Sequence, residues 1–217
     1  MIYKDRRDAG RQLAGRLSHY RGKPDAIVLG LPRGGVAVAA EIATALNLPL
    51  DILIVRKIGF PGNPELAVGA LSETGALALN EEIIAGYGVG RDYLARETTR
   101  QNEEIARRKV LFRSGEGLPP LAGKTVILVD DGVATGATVK AAIATLKQER
   151  LGRLVVALPV ASPDAEETIR QMVDEWVCLQ APTGFMAVGS YYYDFNQVED
   201  TEVVAMLRDA RERGERP

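Results

Sequence analysis

Val126-Ile127-Leu128-Val129-Asp130-Asp131-Gly132-Val133-Ala134-Thr135-Gly136-Ala137-Thr138 is an apolar run that ends abruptly in two carboxylates and then in glycine and hydroxyl residues. Four consecutive apolar residues suit a strand covered on both faces, as in a parallel sheet. The glycines and threonines suit a turn into a helix, whose N-terminus offers free N–H groups and positive dipole to a phosphate. In open α/β sheets ligands bind at the carboxyl ends of the strands, which is where Asp130 and Asp131 fall. Along a strict strand these side chains would point to opposite faces, so both reach one ligand only if the chain leaves strand geometry between them. Adjacent carboxylates also repel a phosphate unless they hold sugar hydroxyls or lie near a divalent cation. A phosphorylated sugar with Mg2+ satisfies all these groups together.

Working outward, Ala26–Leu29, Ile52–Val55, Leu154–Leu158 and the weaker Trp176–Leu179 read as further strands. Helical faces lie between them: Val38, Ile42 and Leu46; Val139, Ile143 and Leu146; Ile169, Met172 and Val173. Ser162-Pro163 is a helix start, a hydroxyl cap followed by proline at the first helical position. Helices are expected from about Arg6 to Tyr20 and from about Thr201 to Arg213. This alternation gives an α/β fold, a central mainly parallel sheet with helices on both faces. Residues 66–124 interrupt it with a hairpin over Ala67–Leu79, turning at Glu73-Thr74-Gly75, and a polar helix over Arg91–Phe112 anchored by Leu94 and Ile105. Gly115–Pro120 reads as a flexible return, and Phe60–Glu65 as a loop near the acceptor. The expected organisation is a single domain over 1–217, with a core at about 25–180 and an excursion or lid at about 81–118.

At 217 residues, with 27 Lys plus Arg against 29 Asp plus Glu, the chain is long enough to bury a core and too near neutrality for a general nucleic-acid binder. Residues 1–23 carry seven cations and two acids, and residues 91–113 seven and four; both read as solvated helix faces, with an anion-attracting rim as the other reading. One cysteine, Cys178, excludes an internal disulfide, and with one histidine, His19, leaves almost no material for zinc or Ser-His-Asp chemistry. Cys178 reads as core packing and His19 as a surface residue of the first helix. The start lacks an apolar signal core, and no apolar run approaches the ~18 residues of a membrane span, so a cytoplasmic protein is expected.

A second element, Gly30-Leu31-Pro32-Arg33-Gly34-Gly35, follows the first core strand and precedes a helix. Its glycines expose backbone N–H groups, and Arg33 offers a planar fork to phosphate oxygens. A third, Val55-Arg56-Lys57-Ile58-Gly59, puts two cations at the end of the second strand. No Gly-x-x-x-x-Gly-Lys-Ser/Thr string occurs, which excludes a P-loop hydrolase.

The acidic pair followed by Thr135-Gly136-Ala137-Thr138 resembles the signature of the type I phosphoribosyltransferases, and the resemblance covers about residues 25–180. It implies an enzyme that transfers the phosphoribosyl group of phosphoribosyl pyrophosphate to a nitrogen acceptor, nucleobase-like, with Mg2+, releasing pyrophosphate. It implies that Asp130 and Asp131 hold the ribose hydroxyls and, directly or through water, the metal. Gly132, Val133, Ala134, Thr135, Gly136, Ala137 and Thr138 would wrap the 5′-phosphate. Arg33 with Gly34 and Gly35 would form the pyrophosphate loop, with a cis peptide between Pro32 and Arg33, and Arg56 and Lys57 would meet the diphosphate. Many purine-salvage members carry an acidic residue where this chain has Ala134, whereas adenine- and uracil-type members can have alanine there, which disfavours a 6-oxopurine and leaves the general base open. Gly69–Glu73 and Tyr191–Val198 are similar to a bacterial branch with an unassigned acceptor, in which some relatives are fused to a hydrolase-like domain. Tyr191, Tyr192, Tyr193 and Phe195 either stack on a planar acceptor or pack the C-terminal segment. The partners implied are phosphoribosyl pyrophosphate and a small acceptor, with no membrane, no DNA and a homodimer admitted. The competing reading is a non-catalytic module that senses phosphoribosyl pyrophosphate or a nucleotide.

Overall fold

The computed structural model describes residues 1–214. Asp5 starts the first helix, α1 (Arg6–Arg16), by accepting the Asp8 N–H at 2.7 Å. α1 ends four residues short of Tyr20, and a 3₁₀ turn over Ser18–Tyr20 carries the apolar face onward, with Leu13, Leu17 and Tyr20 all buried. The chain then enters β1 (Ala26–Gly30), turns into α2 (Gly34–Leu46) and returns as β2 (Leu50–Ile52). Val38, Ile42 and Leu46 are fully buried along α2, each contributing about 1.5–3 kcal/mol by leaving water.

The expected strand at 52–55 is instead a passage between two sheets. Ile52 ends β2, Leu53 and Ile54 belong to no strand, and Val55 opens β3 (Val55–Phe60). Leu53 and Ile54 are as buried as any strand residue, which is why an apolar run alone misplaced them. Glu73 takes the place of a ladder partner: its carboxylate accepts the Ile54 N–H at 3.0 Å and its N–H donates to the Ile54 carbonyl at 3.0 Å.

β3 pairs antiparallel with β4 (Asn63–Ser72), which pairs in turn with β5 (Leu77–Leu79). The hairpin turns at Glu73-Thr74-Gly75 as expected, with Gly75 at a left-handed φ of 86°. The expected loop at Phe60–Glu65 is a tight turn joining β3 to β4, because Gly62, at φ 80°, lets the strands reverse at once. α3 (Glu81–Tyr87), capped by Asn80, escaped the sequence reading, and α4 (Arg91–Arg113) matches the polar helix. Leu94 and Ile105 anchor α4 as expected; Gln101, Phe112 and Arg113 are buried besides.

β6 (Thr125–Val129) leads to α5 (Ala137–Leu146), β7 (Arg153–Val160) to α6 (Pro163–Arg170), and β8 (Glu175–Gln180) to α7 (Asp200–Gly214). Ser162 caps α6 as expected, but Met172 and Val173 lie past its end, in the turn leading to β8. Five parallel strands run in the order β2-β1-β6-β7-β8. β1 and β6 are buried at every position, as a sheet covered on both faces requires.

Contacts divide the chain into two compact units. The first holds the parallel sheet: Met1–Ile52, Pro120–Gly136 and the chain from Arg150 onward. The second, Leu53–Pro119 with Ala137–Glu149, holds the antiparallel sheet, α3, α4 and α5. The excursion expected at 81–118 falls inside this second unit. Among the described residues no helix is long and apolar enough to cross a membrane.

The second unit contains a buried ion pair, Arg113 with Glu73, at 0% and 1% side-chain exposure. Removing the carboxylate strands a buried guanidinium, which costs about 3–5 kcal/mol. Glu73→Ala is therefore expected to strip hydrogen-exchange protection from β4 and β5. Unchanged protection would assign the pair no structural weight.

Candidate active site

β1 and β6 are neighbours in register, Gly30 beside Val129, so the two loops singled out in the sequence leave the sheet side by side. Leu31 donates its N–H to the Val129 carbonyl at 2.9 Å and carries the pairing one residue further. The loops then interlock. A Cβ on Gly34 would lie 1.9 Å from Asp131 Oδ2, and one on Gly35 would lie 2.7 Å from the Val129 carbonyl oxygen and 2.8 Å from Asp130 Cα. Contacts this short exclude any side chain at either position. The peptide between Pro32 and Arg33 is cis, as the resemblance implied.

β6 stops at Val129, so Asp130 and Asp131 lie beyond the strand, where their side chains need not alternate. Asp130 Oδ1 accepts the Asp131 N–H at 2.9 Å. Asp131 Oδ2 accepts from Arg6 Nε at 2.7 Å, and its carbonyl accepts the Tyr192 hydroxyl at 2.5 Å. Arg6 is fixed from two further sides, donating to the Asn196 carbonyl at 2.7 Å and lying 3.9 Å from the centre of the Phe195 ring. Burial, reinforced at Asp130 by the neighbouring Asp131 carboxylate, holds both carboxyl pKa values above the ordinary range, and Arg6 offsets part of this. A pair in this state gains from an arriving cation.

After Asp131 the chain is tied to the adjacent strand end. Val133 donates to the Val160 carbonyl at 3.0 Å, and Ser162 Oγ donates to the Ala134 carbonyl at 2.6 Å. Gly132 is packed where a Cβ would meet Val188 and Val160, and Gly136 adopts a left-handed φ of 70°. Ala134 and Thr135 form an exposed crest, and Ala137 and Thr138 open α5.

Arg33 stands just before α2 and faces acids: Nη1 lies 3.7 Å from Asp200 Oδ1 and 3.9 Å from Glu199 Oε2. With the Gln197 amide turned so that its oxygen faces the guanidinium, Nη2 donates to it at 2.8 Å. The structure thus gathers Arg33, Gly34, Gly35, Asp130 and Asp131 within the first unit. Arg56 and Lys57 lie on β3 in the second unit, where Arg56 Nε donates to Gln101 Oε1 at 2.8 Å.

Sequence reasoning missed Arg6 and Tyr192 as neighbours of the acidic pair. The signals existed: Arg6 belongs to a net-positive stretch and Tyr192 to a singled-out aromatic run, but neither carries a spacing that links it to residue 131. Tyr192 is buried between Tyr3 and Phe195, at ring-centre distances of 5.3 and 4.9 Å, which favours packing over stacking on an acceptor. His19 is half-exposed and 3.2 Å from Glu175.

Among the described residues no three His, Cys, Asp or Glu side chains converge on a metal position. Two carboxylates alone suit an ion that arrives on its ligand's oxygens, the habit of Mg2+ with phosphates.

The phosphoribosyl transferase domain family matches residues 2–196. A Mycobacterium tuberculosis (strain CDC 1551 / Oshkosh) protein, named as a phosphoribosyl transferase by inference, is 44% identical over 98% of this chain and 49% of its own length. The chain therefore spans about half the length of the curated relatives it matches. Among solved structures, TT1426 from Thermus thermophilus is 45% identical with a TM-score of 0.87, over 96% of this chain and 99% of that one.

Arg6 and Asp131 should be energetically coupled. In a double-mutant cycle of Arg6→Gln with Asp131→Asn, denaturation should give an interaction energy of about 1–3 kcal/mol; strict additivity would show the pair to be incidental. Elsewhere in this unit, burial pushes the Cys178 thiol up to about 12, leaving almost no thiolate at pH 8. A thiolate-selective reagent at that pH should spare Cys178 in the folded chain and modify it after denaturation.

Proposed function

The chain belongs to the phosphoribosyl transferase family, and on that premise we propose that it transfers the phosphoribosyl group of phosphoribosyl pyrophosphate to a nitrogen on a small, nucleobase-like acceptor. The observation that carries this reading is the interlock of Gly34 and Gly35 with Asp130 and Asp131 at adjacent strand ends. It sets a glycine-lined helix start, suited to a diphosphate, against a carboxylate pair, suited to ribose hydroxyls.

In this reading the diphosphate leaves the anomeric carbon, which acquires positive character. Arg33 and the free N–H groups at the start of α2 take up the charge developing on the leaving group. Asp130 and Asp131 orient the ribose and favour the cation forming beside them. The loop at 132–138 holds the 5′-phosphate through backbone N–H groups, with Thr135 and Thr138 adding hydroxyls. Arg56 and Lys57 are proposed as further diphosphate contacts. Asp130 and Asp131 would also hold Mg2+, which when bound neutralises diphosphate charge. With Ala134 at the loop crest, the loop supplies no carboxylate base, which favours an acceptor that needs none from this position.

Incubation with phosphoribosyl pyrophosphate, Mg2+ and a panel of bases should release pyrophosphate with at least one base. Binding without release across the panel would favour the sensing module instead. Asp131→Asn should weaken Mg2+-dependent binding of phosphoribosyl pyrophosphate by about 2 kcal/mol, the scale of a charged hydrogen bond. Unchanged calorimetric affinity in the folded variant would remove Asp131 from the site.

A further inference from the structure

The net-positive stretch at 91–113 is more than a solvated face. Within the second unit, Arg56, Arg100, Gln101, Glu103, Glu104 and Arg107 line a cavity of about 400 Å³. Its floor is Gln101, 4% exposed, whose amide oxygen accepts from Arg56 Nε at 2.8 Å and whose amide nitrogen donates to Glu97 Oε1 at 2.6 Å. This buried amide holds Arg56 by one nitrogen, and among the described residues the two terminal nitrogens of its fork are uncommitted.

The nearby carboxylates are already engaged. Glu97 accepts from Arg100 at 2.7 Å, and Glu104 accepts from Arg107 at 2.8 and 2.9 Å and from Arg108 at 2.8 Å. Arg107 and Arg108 together hold the Glu104 carboxyl down to about 2, so it stays ionised and paired. Among the described residues, Arg56 has no carboxylate within ion-pair distance, and Glu103 is the one acid of the lining that no arginine engages. Burial lowers the Arg56 pKa, and Arg108, Arg100 and Arg107 push it the same way. Positive charge is concentrated here beyond what these acids neutralise.

We propose that this cavity binds a phosphoanhydride, an inorganic polyphosphate or the polyphosphate of a nucleotide, gripped by Arg56, Arg100 and Arg107. Arg100 and Arg107 are two helical turns apart, about 10 Å along the axis, with Arg56 docked on the residue next to Arg100. A single phosphate is too short to engage all three forks. A chain of two or three phosphates matches the span, and its charge meets the surplus. Binding here needs neither turnover nor the Asp130 loop.

The probe is inorganic tripolyphosphate, titrated calorimetrically onto the full chain carrying Arg33→Gln, which weakens the other candidate phosphate loop. Adding Arg100→Gln and Arg107→Gln should weaken binding at least tenfold, whereas Glu103→Gln should strengthen it. Both arginines are mostly exposed, at 71% and 61%, and their i,i+3 pairs contribute little to folding, so the helix should survive, as circular dichroism would verify. In parallel, tripolyphosphate should shield Arg56 and Arg107 from phenylglyoxal, read peptide by peptide. With Arg33 intact, weaker binding of phosphoribosyl pyrophosphate to the Arg100/Arg107 variant would identify the ligand as that compound's own diphosphate. Unchanged binding there, with tripolyphosphate binding lost, would identify a separate ligand. Tripolyphosphate affinity that is indifferent to Arg100 and Arg107, with no shielding, overturns the proposal.

Discussion

Pairing of β1 with β6 in parallel register is the constraint on which the site depends. Because Gly30 stands beside Val129, two loops almost a hundred residues apart in sequence emerge together and share space that admits no Cβ at Gly34 or Gly35. The close approach leaves backbone, not side-chain atoms, at the start of α2, the kind of surface that suits an anion. It also brings the carboxylates of the second loop against the helix start of the first. In the proposed function, a helix start suited to phosphate and a carboxylate pair, mutually unfavourable toward one ligand, become compatible because that ligand has both phosphate and hydroxyl groups.

Such proximity creates an electrostatic problem that the chain termini address. Two adjacent, partly buried carboxylates repel each other, and Arg6 engages one of them through a single 2.7 Å contact. Arg6 is held for this task by residues from the other end of the chain, the Asn196 carbonyl and the Phe195 ring. Tyr192, stacked on Phe195 and hydrogen-bonded to the Asp131 backbone, fixes the same corner. Segments outside the strand-loop-helix motifs therefore shape the charge state of the motif itself. The compensation is partial, since both carboxyl pKa values stay raised.

How much of this was legible follows from the range of each interaction. Val126–Thr138 and Gly30–Gly35 could be read directly, because strand burial, loop glycines and helix starts are local in sequence. The hairpin at Glu73-Thr74-Gly75 was legible for the same reason. Leu53 and Ile54 were not: they are buried like a strand, but their backbone partner is Glu73, a contact that hydropathy does not encode. Arg6 was hidden because its meaning depends on a partner 125 residues away. Glu73 appeared in the sequence as a turn residue, and only the fold reveals it as the acid that buries Arg113.

The two net-positive stretches show how composition and position diverge. Each carries seven cations, and helical periodicity alone gives both the same reading, a solvated face. In the first, Arg6 is drawn inward because, among the described residues, Asp131 has no other cation to meet it, while Arg11 and Arg16 stay exposed, Arg11 beside Glu41 of α2. In the second, three of the six arginines, Arg100, Arg107 and Arg108, are paired with glutamates one helical turn away, an arrangement worth little to stability and open to exchange with a stronger anion. Arg56 breaks that balance because it comes from a neighbouring strand and brings no acid of its own. Charge introduced across elements, and not along one helix, is what sets the Arg56 cavity apart from the solvated face around it.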